Sequence, residues 1–163
     1  MAEIKGLTLK SVTNFKGHAG EPCKQGAIYL NGKKVGYYSD DFNMGPSEIR
    51  FDNRETEKEV LAICKAYFEE NPKDRWCYGT DYADKGIELE EIFTVLIELI
   101  DFEKEYKKML KKGYGIFAVY KHEGYRIQMS GFKSLEYAKK HLLEEKKVEN
   151  PKFYSSLEDF KIK

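Results

Sequence analysis

The sequence predicts an α+β fold, and two observations carry that prediction. Hydropathy alternates with a period of two over the first 52 residues and shifts towards a helical period after residue 53. Strands therefore cluster ahead of helices, which argues for antiparallel sheet and against a doubly wound one. At 163 residues the length fits a single domain, 1–163, with an N-terminal β subdomain over 1–52. The remainder, 53–163, reads as a helical part closing in a ββα unit. With 41% hydrophobic residues the chain can bury a core.

Leu7, Leu9, Val12 and Phe15 alternate with polar residues, which makes a strand with an irregularity near Ser11 that a bulge would absorb. The segment 16–26 carries three glycines, a proline and a histidine, and reads as a loop. Asn31-Gly32 joins the apolar segments 27–30 and 34–38, and such a pair suits a type I′ hairpin turn. Residues 42–46 form a second turn region, and 48–51 a fourth short strand.

Val60, Leu61, Cys64, Tyr67 and Phe68 mark one face of an amphipathic helix over 55–70, which Asn71-Pro72 ends. Residues 73–86 lack a period and read as a long loop. Residues 87–112 form a long helix whose stripe is Leu89, Ile92, Phe93, Leu96, Leu99, Ile100, Tyr106 and Leu110. Gly113 suits the position just past its end. Segments 116–120 and 125–129 flank His122-Glu123-Gly124 as a second hairpin. Ser134 caps a last helix to about Lys147, buried through Leu135, Ala138, Leu142 and Leu143. Residues 153–162 add an edge strand or a packed tail.

Charge narrows the function classes. The chain has 28 basic and 28 acidic residues, which excludes a uniformly charged nucleic-acid binder or mimic. The neutrality is a sum of unlike parts. Residues 1–50 carry seven basic and five acidic side chains, 51–106 seven and sixteen, and 107–163 fourteen and seven. Glu88, Glu90 and Glu91 at one end of the long helix, with Lys107, Lys108, Lys111 and Lys112 at the other, complement its dipole. The imbalance exceeds what capping requires, so it leaves two faces able to meet charged partners. No run reaches the ~18 apolar residues of a membrane span, so no membrane partner is expected. An odd three cysteines without a secretory leader fits a reducing, cytoplasmic setting.

Catalytic signals are weak. His18 and Cys23 share a loop, but neither they nor Cys64 and Cys77 show the close pairs of a structural zinc site, so no metal is expected. Cys64 lies on an apolar helix stripe, as a small hydrophobe would. An enzyme reading would draw on His18, Cys23, Asp40 and Asp41, as a Cys–His dyad or a hydrolytic carboxylate group. Adjacent carboxylates on a strand point to opposite faces, and turn formation also accounts for Asp and Asn there. Gly113-x-Gly115 precedes a strand and not a helix, which excludes the dinucleotide fingerprint, and no cofactor is expected.

Aromatic residues give a stronger signal. Tyr37, Tyr38, Phe42, Trp76, Tyr78 and Tyr82 fall in or beside loops, with Arg75 next to the tryptophan. Such side chains bury large areas at interfaces while keeping a polar handle, and they also stack on unpaired bases.

The stretch from His18 through Cys23, Asn31-Gly32 and Tyr37-Tyr38 to Asp41 resembles an N-terminal module of accessory proteins of phages and bacterial mobile elements. The resemblance covers residues 9–52 and carries no catalytic motif. It implies a small phage or mobile-element protein, a class that includes inhibitors of host defence such as anti-CRISPR proteins. The expected function is non-catalytic binding of a host protein or ribonucleoprotein, with inhibition of a bacterial defence nuclease as its narrower form. The expected surface comprises Tyr37, Tyr38, Phe42, Arg75, Trp76, Tyr78, Tyr82, Lys107, Lys108, Lys111 and Lys112. Two alternatives stay open: a small hydrolase or nuclease, and a single-stranded nucleic-acid-binding module using the basic C-terminal part.

Overall fold

A computed structural model of the chain describes residues 1–17, 20–40, 47–74, 85–122 and 126–163, with 85–87, 122 and 126 in backbone only. The fold is α+β. Two sheets form, one of six strands in the order β5-β4-β3-β2-β1-β9 and one of three in the order β7-β6-β8. The chain divides into two compact units, 3–98 with 162–163, and 1–2 with 99–161. The boundary falls inside the long helix.

The first unit is built on an antiparallel meander. Strand β1 (Glu3–Ile4) turns into β2 (Leu7–Lys16), which pairs with β3 (Pro22–Leu30). The register slips between Lys10 and Thr13, so Ser11 and Val12 oppose Gly26 alone. Ser11 has φ +54°. A Cβ on Gly26 would lie 3.2 Å from the Lys10 carbonyl oxygen, so a side chain there would crowd the bulge. Strand β3 begins at Pro22, earlier than the expected loop end at 26. Proline is compatible with the first residue of a strand, where its missing N–H costs least. Asn31 and Gly32 have φ +49° and +81°, as the type I′ turn requires, and lead into β4 (Lys33–Asp40). Strand β5 (Glu48–Phe51) pairs outside it. Ile162, in β9 (Lys161–Ile162), returns beside β1 and accepts a hydrogen bond from the Lys5 N–H at 2.6 Å.

Helix α1 (Arg54–Glu70) starts at Asn53, whose side chain accepts from the Thr56 N–H, and buries Val60, Cys64, Tyr67 and Phe68. Helix α2 (Lys85–Lys111) gives its first half to this unit. Leu89, Ile92, Phe93 and Leu96 are buried there, and Phe93 meets Tyr38 of β4 with ring centroids 5.3 Å apart.

The second unit takes the rest of α2 and the three-stranded sheet of β6 (Ile116–His122), β7 (Arg126–Phe132) and β8 (Lys152–Tyr154). One face carries an aromatic quartet. Tyr106 of α2, Phe117, Tyr154 and Phe160 lie within 6.1 Å of a ring neighbour, and Tyr154 stacks on Phe160 at 4.3 Å. The opposite face buries Ala118, Tyr120 and Phe132 against Ala138, Leu142 and Val148. Ser134 caps α3 (Leu135–Lys139) as expected, but the turns widen over 140–145 and the helix stops short of Lys147. The wider turns break the i, i+4 phase, leaving Leu143 exposed beside buried Leu142. Leu135 lies at the exposed helix start, and Leu110 in the last turn of α2; neither is buried as the stripe predicted.

Candidate functional site

Several expected site residues sit in structural roles. Tyr38 is buried against Phe93, and its hydroxyl lies 3.5 Å from Ser47 Oγ. The Ser47 N–H in turn donates to Glu90 Oε1 at 2.6 Å. Burial pushes the Tyr38 pKa up; the Ser47 hydrogen bond opposes this, while the charges of Asp40 and Glu90 add to it. Tyr38 is thus a core residue and not part of an exposed binding face, because β4 turns it inward while Tyr37 points out. Tyr37 is exposed and donates to Gln25 Oε1 at 2.7 Å across the β3–β4 pair.

Cys23 is fully buried, with its Sγ 3.7 Å from the Glu21 carbonyl oxygen. A Cβ on Gly17 would come within 2.8 Å of that sulfur, so Gly17 packs against it. A nucleophile needs access that this packing denies. Asp40 is half-buried at the end of β4. Lys107 pairs with Glu103 at 2.8 Å and Lys108 with Glu105, so half of the lysine cluster is matched by carboxylates one turn back. Lys111 and Lys112 are exposed. His18, Asp41, Phe42, Arg75, Trp76, Cys77, Tyr78 and Tyr82 lie outside the described residues. Among the described residues, no three His, Cys, Asp or Glu side chains converge as a metal site.

The second unit assembles an aromatic surface that the sequence reading missed. Tyr114, Gly131, Phe132, Lys133, Ser134 and Tyr137 line an open cleft of about 460 Å³. It forms where β7 gives way to α3. Tyr137, 58% exposed, stacks on His141 with an interplanar angle of 7° and centroids 5.9 Å apart. Phe132 lies 6.1 Å from both rings and forms the floor. His141 Nδ1 lies 2.7 Å from Glu145 Oε2, which holds the imidazole against the tyrosine. Gly131 leaves room: a Cβ there would meet Met109 Sδ and the Tyr114 side chain at 3.0 Å. Chemically the cleft offers flat apolar surface, a tyrosine hydroxyl and a lysine ammonium, which suits recognition more than bond-making. The available signal was Tyr137 and His141 at i, i+4, off the stripe of Ala138 and Leu142.

Comparison with protein-family models, with curated proteins and with solved structures finds no match.

Proposed function

We propose that this chain is a non-catalytic binding protein whose contact surface is the aromatic cleft of the second unit. The observation that carries the reading is the exposed Tyr137, stacked on His141 above Phe132 and bordered by Lys133. Aromatic side chains held in place by their neighbours lose little conformational freedom on association and bury large areas. The resemblance of residues 9–52 supports a narrower version: an accessory protein of a phage or mobile element acting on a host macromolecule, a defence nuclease being the class it implies.

A photoreactive phenylalanine analogue at Tyr137, in the full chain expressed in bacteria, tests the surface. One defined protein adduct is expected there and none from the same group at the exposed Lys65 of α1. Equal labelling from both positions, or none from either, overturns the reading. For the narrower version, expression in cells with an active nuclease defence should restore phage plating, and Tyr137→Ala should abolish the effect while leaving thermal unfolding unchanged.

A further inference from the structure

We propose that the outer edge of β7 receives an extended, acidic peptide segment of the partner protein as a fourth strand of the second sheet. This deepens the binding reading above and rests on it, since the cleft lies at the C-terminal end of β7.

The edges of the two sheets differ in how well they are protected. The six-stranded sheet ends in β5, four residues with Glu48 and Arg50, and in β9, two residues. The small sheet ends on one side in β8, three residues preceded by Pro151. Short strands, charges and prolines are the usual means of keeping an edge from pairing. Strand β7, the other edge, has none of them along its middle. It runs seven residues, and Ile127 to Phe132 contains neither a charge nor a proline. Among the described residues, it pairs with β6 alone. Its outward N–H and C=O groups form a template for another strand.

The side chains select the occupant. Ile127 and Met129 are 40% and 42% exposed, and they share a face with Gly131. A strand added beside them sets every second residue against this apolar track, and its end reaches the cleft at Tyr114 and Tyr137. Lys121 sits opposite Ile127 on β6, and the exposed Lys133 follows the strand. Residues 99–161 carry fourteen basic side chains against ten acidic ones. A second copy would set this lysine-bearing edge against itself. Lys121 opposes Ile127 directly and so lies on the same face; a segment whose residues towards that face are apolar in the middle and acidic at the ends meets both features.

The test uses the full chain and a nine-residue synthetic peptide with glutamate, valine, valine, valine and glutamate at its odd positions and threonine between them, with amide hydrogen exchange read residue by residue. At saturation, alternate amides of β7 should slow by about tenfold while those of α1 stay unchanged. A peptide N-methylated at every second amide should bind at least about tenfold more weakly, because it cannot complete the ladder. The double variant I127T/M129T, checked for an unchanged melting temperature, should weaken binding, because it removes the apolar track without adding charge. Equal binding of the methylated peptide, or saturation without β7 protection, overturns the inference, and the first control needs no variant to fold. Tight binding of an oligothymidylate that displaces the peptide without protecting β7 also overturns it, since charge alone would then suffice. A Tyr137 adduct without β7 protection defeats strand addition and leaves the binding reading intact. Peptide docking on β7 without a Tyr137 adduct supports strand addition and removes the cleft.

Discussion

Cys64 and Glu103 show how burial acts on a single side chain in opposite directions. Burial of Cys64, reinforced by the charges of Glu88 and Glu91, pushes its thiol up to about 12. The reactive thiolate is therefore scarce near neutrality. Iodoacetamide at pH 8 should leave Cys64 unmodified in the folded chain and label it fully in denaturant, as peptide mass spectrometry would show. Burial also pushes the Glu103 carboxyl up, but there the opposing interactions win. Hydrogen bonds from Lys107, from the Ala2 N–H at 2.7 Å and from the N-terminal amine hold it below the ordinary glutamate range. A depressed folded-state pKa adds stability that is complete above the unfolded value and is lost as pH falls through the folded one. Glu103→Gln should cost about 2 kcal/mol at pH 7 in chemical denaturation, because it removes the buried carboxylate shared by the Ala2 N–H and two half-exposed cations. It should also flatten the acid limb of the stability profile. A variant with an unchanged acid limb would show that this pairing is idle.

At the scale of elements, the β4–β5 contact depends on one missing side chain. A Cβ on Gly36 would lie 2.1 Å from the Arg50 carbonyl oxygen, a backbone atom that moves only with its strand. Gly36→Ala should destabilise the protein by about 1–3 kcal/mol, with hydrogen exchange rising first in β5. The turn at Asn31-Gly32 and the cap at Ser134 are of a different kind, set by residues adjacent in sequence. Those local devices were legible from the chain, as were both hairpins and both long helices. Strand β1 was not, and β8 and β9 were legible only as an edge strand or a packed tail over 153–162. At two or three residues each, they are too short to display a period and exist only because a neighbouring strand supplies their partners.

At the scale of the molecule, α2 matters most, because the boundary between the two units falls between Glu98 and Leu99 within it. Glu98→Pro would remove a helical hydrogen bond and clash one turn back. It should lower stability by about 3 kcal/mol, read as a fall in the denaturation midpoint. An unchanged midpoint would mean that the two halves of the helix do not depend on its continuity. Charge also separates at this scale: residues 99–161 are net basic, which leaves the rest of the chain net acidic.

The sequence by itself determined the α+β class, the Asn-Gly hairpin, the bulge near Ser11 and the apolar faces of both long helices. Each of these follows from periodicity or from the backbone preferences of adjacent residues. Only the tertiary structure decided which aromatic residues face outward. Tyr37 and Tyr38 are neighbours, yet one is exposed and the other lies in the core, because a pleated strand sends successive side chains to opposite faces and only packing says which face is inside. The same reason hid the cleft. Tyr114, Phe132, Tyr137 and His141 come from a helix–strand connection, a strand and a helix. The i, i+4 spacing of Tyr137 and His141 encodes their stacking, but bringing Tyr114 and Phe132 to that pair is a property of the folded sheet.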